Sequence, residues 1–284
     1  QVYARATSSF FVSNAIGGFA VNGSSAFGNL SYEDNITLTF AARNGHGMSF
    51  TTAPVNGGDN TSTFTNNVAG LLSFSGAFWS NADTGAARTL LFNGNGVTTI
   101  TGGVVASGGA SFDHVLTKNG TGLLSITGVS TLDGAVNSHG GAIAITDFRS
   151  LNNTSTAAIN IGSGGTASGL IIGTDLAATA LGLTTSRPVN LSGSTGGASI
   201  YANQAGSNPV IFNGEFSTTG GNTTESKTLS LGGTNTADNV INTSLENQAS
   251  ATTGNLALSK IGLGTWVLAG ANTCLLYTSP SPRD

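Results

Sequence analysis

One stretch, written twice, constrains this chain more than any other feature. Near the end runs Leu258-Ser-Lys-Ile-Gly-Leu-Gly-Thr-Trp-Val-Leu-Ala-Gly-Ala-Asn-Thr273, and a near-copy lies at Leu116-Thr-Lys-Asn-Gly-Thr-Gly-Leu-Leu-Ser-Ile-Thr-Gly128. In each, an alternating run is broken by glycines and then resumes. Period two sends Trp266 and Leu268 to one face and Thr265, Val267 and Ala269 to the other. Gly262 and Gly264 permit the positive φ or close backbone approach that a sharp corner needs. Leucine, lysine and three glycines match in place, with Leu124 and Ile126 where the copy has Trp266 and Leu268. The expectation is a repeat protein. Trp266 and Leu124 should be buried at equivalent points of two coils, and Lys118 and Lys260 should mark solvated corners that discourage edge pairing.

A longer period surrounds these copies. Leu72-Ser-Phe-Ser-Gly-Ala-Phe78 and Arg88-Thr-Leu-Leu-Phe92 precede the first, and Val210-Ile-Phe-Asn-Gly-Glu-Phe216 and Lys227-Thr-Leu-Ser-Leu231 precede the second. The offset grows only from 138 at Phe74/Phe212 to 142 at Gly122/Gly264, so insertions fall at corners and leave strand alternation intact. Modules of 72–134 and 210–273 therefore flank a stretch of similar short strands: Ala142–Ile145, Ala158–Ile161, Leu170–Ile172, Val189–Leu191 and Ser199–Tyr201. Fixed-period strands of this kind predict a solenoid, with 1–273 a single β-helical repeat region. Coils of roughly 20 to 25 residues would number about a dozen. Asn93, Asn119 and Asn213 are corner residues that tolerate the left-handed conformation and can hydrogen-bond along a stack. Upstream, Asn35–Phe40 reads as a strand, Asn44-Gly45 as a turn, and Pro54 to Thr63 as a surface loop. An antiparallel β-sandwich or jelly roll is the alternative that short strands and Gly-Asn turns also allow.

The pattern Leu-Ser/Thr-Lys-x-Gly-x-Gly, followed by alternating apolar residues and Gly-Ala-Asn-Thr, resembles the autotransporter-associated β-strand repeat. That resemblance implies a right-handed parallel β-helix, exported as a passenger and displayed outside a bacterial cell. It covers only the two copies, and the first departs after Gly128, where Val129-Ser-Thr replaces Ala-Asn-Thr. Residues 274–284, Cys274-Leu-Leu-Tyr-Thr-Ser-Pro-Ser-Pro-Arg-Asp284, hold the only cysteine and two of the five prolines. They are similar, residue for residue, to a translated transposase sequencing adapter. The tail is therefore expected to be non-native and to make no packed continuation of the Trp266 strand.

Composition narrows the functions that fit. Only 8% of residues are charged, 42 of 284 are glycine, and no window sustains a helical face. With nine Lys and Arg and a net charge of −4, no basic patch is available to grip phosphates, so nucleic acid is not an expected partner. A single cysteine, in the tail, rules out a disulfide framework and a thiolate metal site. No apolar run approaches the roughly 20 residues of a membrane span. Both ends read as cut, so this absence says nothing of a signal peptide or an anchor in the full-length protein.

Candidate chemistry is sparse. Glu33 and Asp34 are adjacent, but neighbouring strand residues point to opposite faces, whereas a retaining glycosidase needs carboxyls about 5–5.5 Å apart. Asp113-His114 has the form of an acid–base pair, and Asp147-Phe148-Arg149 that of a surface ion pair on one strand face. His46 and His139 sit among glycines without a second ligand at metal spacing. Asp59, Asp83, Asp133, Asp175 and Asp238 read as turn acids. No catalytic, cofactor or metal residue is nominated and no cofactor is expected. The predicted role is a non-enzymatic, monomeric surface stalk meeting surface glycans or other cells. A polysaccharide lyase or hydrolase on the same fold is the alternative.

Overall fold

The structure, a computed structural model, describes residues 2–12, 23–33, 35–43, 45–53, 55–56, 61–81, 88–107, 114–173, 183–205, 207–219, 226–247, 255–273 and 276–278. Among these, everything regular is β apart from one 3-10 turn, Phe148–Leu151. Every described ladder is parallel, and the one antiparallel contact is an isolated bridge between Ser163 and Thr166. The antiparallel sandwich is thereby excluded, and the fold is a parallel β-solenoid. The chain forms two compact units, Gln1–Ala135 with Arg149–Asn152, and Val136–Phe148 with Asn153–Asp284.

In the first unit one sheet stacks Ser8–Val12, Thr37–Ala42, Thr61–Val68, Arg88–Gly94 and His114–Lys118. A second stacks Ser24–Ala26, Gly47–Phe50, Leu71–Phe74, Val97–Ile100 and Leu123–Ile126. Shorter pairs, Val2–Ala4 with Leu30–Glu33 and Phe78–Asn81 with Val104–Ser107, make a third side. Alternation sets the faces. Leu72 and Phe74 point inward and are buried, while Ser73 lies in an outward row with Ser49, Thr99 and Ser125. Aromatic rings fill the interior. Phe27, Phe50 and Phe74 stack with centroids 5.2 and 5.6 Å apart, and Phe78 meets Phe64, Phe74 and Phe92 edge-on at 4.9, 5.1 and 5.4 Å. Each such pair contributes about 0.5–1.5 kcal/mol beyond the area it buries.

The second unit stacks Val136–Ser138, Ile159–Gly164, Val189–Gly193 and Phe216–Thr218 on one side. Gly141–Ile145, Ser168–Ile172, Ala198–Ala202, Lys227–Gly233, Leu256–Lys260 and Leu276–Thr278 make the next, and Thr184–Thr185, Ile211–Phe212, Asp238–Ile241 and Thr265–Leu268 the third. The filling here is mainly aliphatic, with Ile143, Ile145, Leu170, Ile172 and Ile200 all buried. On the outer face Asn160 donates from Nδ2 to Asn137 Oδ1 at 2.6 Å, and Asn190 donates to Asn160 at 3.1 Å. Thr219 Oγ1 donates to Asn190 Oδ1 at 2.7 Å and ends this ladder.

Several expectations need correction. Successive coils step by 23 residues at Asn137–Asn160, 26 at Leu90–Leu116 and 31 at Ile200–Leu231. The coil step thus starts within the expected range and exceeds it at other coils, where corners carry extra residues, and the coils are fewer than a dozen. Thr61–Val68 is a strand whose Ser62, Phe64, Asn66 and Val68 point inward, so the expected loop ends earlier; residues 54 and 57–60 lie outside the described residues. Among the described residues the left-handed non-glycine positions are Asn35 and Asn152, with φ of 55° and 58°. Asn35 therefore turns into the strand Thr37–Ala42 instead of opening it. Asn213 does hydrogen-bond along the stack, accepting from Asn242 Nδ2 at 2.7 Å. Trp266 and Leu268 are only half-buried, whereas Leu124 is fully buried. Their strand is the last of its sheet among the described residues, so no further coil there covers its inward face. Leu276–Thr278 of the tail pairs with Leu256–Lys260 and not with the Trp266 strand.

Candidate functional site

The duplicated motif is a corner device. Gly120 and Gly262 have φ of 74° and 67°, the left-handed conformation that turns the chain between strands. Gly122 serves a different need: a Cβ there would lie 2.2 Å from Gly96 O, and one on Gly264 would lie 2.8 Å from Asn235 O. The first glycine of each pair bends the chain and the second lets one coil sit on another. The lysine completes the corner. Lys118 Nζ donates to the carbonyls of Asn119 and Gly120, the latter at 3.0 Å. Lys260 Nζ donates to Ile261 at 3.0 Å and Gly262 at 2.7 Å, the same two positions after the lysine. The expected solvated corner is wrong for Lys118, which is 2% exposed. Its ammonium is held by two main-chain carbonyls of the corner. Burial lowers the Lys118 pKa from 10.5 to about 8.

Other cations tie coils together. Arg88, fully buried at the head of its strand, donates from Nη2 to Ser62 Oγ in the preceding coil at 3.1 Å. Lys227 heads the matching strand of the second module and donates to Leu191 O at 2.9 Å and Thr219 O at 2.6 Å. Desolvation lowers its pKa. Arg187, also fully buried, donates from Nε to Ala157 O at 2.9 Å. Four of the nine basic residues thus lie in the interior.

The acid–base candidates are placed as follows. Glu33 lies 3.9 Å from Arg5 in an exposed pair, and Tyr32 is buried; Asp34 lies outside the described residues. His114 is buried and its Nδ1 stands 2.8 Å from Asp133 Oδ1, which also accepts from the His114 N–H at 2.8 Å. Burial pushes the Asp133 carboxyl up, but the hydrogen bonds and charge of His114 outweigh it and hold the group below 3.8. Asp133 is thus more than a turn acid, and the expected neighbour Asp113 lies outside the described residues. Asp147 is buried next to the 3-10 turn, so the reading of a surface pair on a strand fails. His139 is half-buried and desolvation lowers its pKa. Asp238 opens the strand Asp238–Ile241 and is exposed; Asp59, Asp83 and Asp175 lie outside the described residues.

One pair had no sequence signal. Ser25 Oγ lies 3.0 Å from His46 Nε2, a nucleophile–base distance made by two adjacent coils. The ring rests on Gly23, where a Cβ would lie 2.7 Å from it, and its Nδ1 meets no hydrogen-bonding group among the described residues. The third group that orients the base of a hydrolytic triad is therefore missing among them. His114, whose Nε2 is buried, is closed to substrate. No group of three His, Cys, Asp or Glu able to hold a metal ion occurs among the described residues. No helix is long and apolar enough to cross a membrane. A cleft of about 360 Å³ lies against Leu231, Leu258, Lys260, Gly264, Thr265, Trp266 and Leu268, where Trp266 Nε1 donates to Gly232 O at 2.9 Å.

Corners clamped by lysine, close-packed glycines and interior cations define a stacking scaffold of the parallel β-solenoid class. Along 118 residues the chain is 37% identical to a Brucella suis biovar 1 protein named adhesin BmaC autotransporter. The match takes in 40% of this chain and spans about 3% of the length of that relative. No family model matches the chain, so the repeat family expected from the motif is not recovered in that way. No solved structure matches it either.

Proposed function

We propose that the chain is a length of the passenger region of a bacterial autotransporter, displayed on the outer cell surface as a non-catalytic stalk or adhesive surface. The observation that carries this reading is the identity to an autotransporter adhesin over a chain that folds as a parallel solenoid. An outward row supports it: Ser49, Ser73, Thr99 and Ser125 offer hydroxyls suited to surface glycans. Residues 1–273 are read as one repeat region, monomeric and without catalytic, cofactor or metal residues. Residues 274–284 are read as foreign to the native protein, and resequencing the gene tests that part directly.

The functional test couples the purified chain to beads and measures adherence to cultured cells before and after enzymatic removal of their glycans. Adherence that drops on deglycosylation is expected. The same chain, incubated with acidic and neutral polysaccharides, should yield neither new reducing ends nor unsaturated products. Turnover abolished by Asp133→Asn or Ser25→Ala would replace this reading with a polysaccharide-acting enzyme.

A further inference from the structure

We propose that Asn119–Gly120 is a self-modification site, where the Gly120 main-chain nitrogen displaces the Asn119 side-chain amide and leaves aspartate or isoaspartate at the corner. The chemistry is intrinsic to an Asn-Gly step, because glycine has no Cβ to hold its nitrogen away from the neighbouring side chain. The Gly120 nitrogen loses its proton and bonds to Asn119 Cγ, and the side-chain nitrogen leaves as ammonia. The resulting succinimide then takes up one water. Opening at Cγ gives aspartate. Opening at the Asn119 main-chain carbon gives isoaspartate, whose main chain runs through the former side chain. Water is the only co-reactant.

The fold singles out this step by leaving its reacting groups free. Asn-Gly also occurs at 93–94, 95–96 and 213–214 among the described residues, and each of these is held. Gly94 closes the strand Arg88–Gly94 and pairs with Asn66 in its ladder. The Gly96 N–H donates to Asn66 O at 2.9 Å. Asn213 Oδ1 accepts from Asn242 Nδ2 at 2.7 Å, and Gly214 is buried. At the Lys118 corner, neither the Asn119 side-chain amide nor the Gly120 N–H makes a hydrogen bond among the described residues. Asn119 is half-buried and Gly120 exposed, so water reaches the site. The clamp acts in the same direction. Lys118 Nζ donates to Asn119 O, and this charge-assisted bond draws electron density from the peptide group joining Asn119 to Gly120, which makes the Gly120 N–H a better acid. The second copy of the motif has Ile261 in place of Asn119, so of the two corners only the first can react. Either product puts a carboxylate beside the Lys118 ammonium. Isoaspartate also lengthens the main chain where a Cβ on Gly120 would already lie 2.5 Å from Gly94 O, so that form fits the preceding coil less well.

The test ages the full chain at neutral pH and body temperature and follows each Asn-Gly step by tandem mass spectrometry for conversion of amide to acid. Isoaspartyl methyltransferase marks the isoaspartate product. In the folded chain Asn119 should convert at least about fivefold faster than Asn95 and Asn213, the factor expected when those steps must first break one hydrogen bond. In urea, where every step is equally free, the rates should converge. Asn119→Gln, whose longer side chain would have to close a larger ring, should remove the signal at this corner. Equal rates for Asn119, Asn95 and Asn213 in the folded chain, or a preference for Asn119 that persists in urea, would overturn the proposal. None of these results bears on cell adherence, so the two readings fail separately.

Discussion

Replacing Lys118 by Met pits two forces of similar size against each other. The ammonium makes two charge-assisted hydrogen bonds to corner carbonyls, each worth about 1.5–3 kcal/mol. Against them stands desolvation, which brings the pKa from 10.5 to about 8. That fall corresponds to at most about 3 kcal/mol of preference for the neutral amine in the folded state. At pH 7, Lys118→Met therefore loses the clamp but is relieved of a buried charge, and the net change should stay within about 2 kcal/mol. The pH dependence is sharper. Between about pH 8 and 10.5 the unfolded chain holds the Lys118 proton and the folded chain releases it, so folding stability rises with pH across that window. Urea unfolding followed by circular dichroism at pH 7, 8, 9 and 10.5 should show the difference between parent and Lys118→Met growing in the parent's favour, by up to about 3 kcal/mol. A difference that stays flat or shrinks would mean the carbonyls hold the charged form more strongly than burial opposes it, and would refute the reasoning.

Leu124→Ala should cost about 2–5 kcal/mol in urea unfolding by leaving a cavity, while Ser125→Ala, in the outward row, should stay within about 0.5 kcal/mol. Gly122→Ala would place a methyl 2.2 Å from Gly96 O and should abolish cooperative unfolding of the first unit; Gly164→Ala, with φ of 53° but nothing within 4 Å, should cost only about 1 kcal/mol. Asp133 has a folded-state pKa held below 3.8, so its contribution is present above that pH and lost as pH falls through the folded value. The stability gap between parent and Asp133→Asn, measured by acid titration, should therefore close below about pH 4.

Strand faces were legible because period-two alternation needs only neighbours in sequence: Leu124 and Ile126 both point inward as read. The fold class followed, since two copies of one glycine corner at a long period favour a stack over the sandwich that short strands also allow. What local pattern could not supply was the coil step. His114 meets Asp133 19 residues later and His46 meets Ser25 21 residues earlier, separations set by corner lengths that no motif marks. Lys118 was misjudged for a related reason. A charged residue next to glycines reads as solvated, and its hydrogen bonds to carbonyls one and two residues on become apparent only once the corner is closed. Trp266 shows the converse error, because the same local pattern that buries Leu124 within a stack leaves a side chain half-covered at the end of one.

The coil step also fixes how this topology is reached. Paired strands lie 23 to 31 residues apart at the coils measured here, so the sequence separation of contacts does not grow as coils are added. Folding speed in such a chain depends on closing one loop of about thirty residues, whose entropic cost rises only as the logarithm of its length. A polypeptide delivered end-first through a narrow passage would therefore complete each turn as soon as the next thirty or so residues arrived, without waiting for its far end.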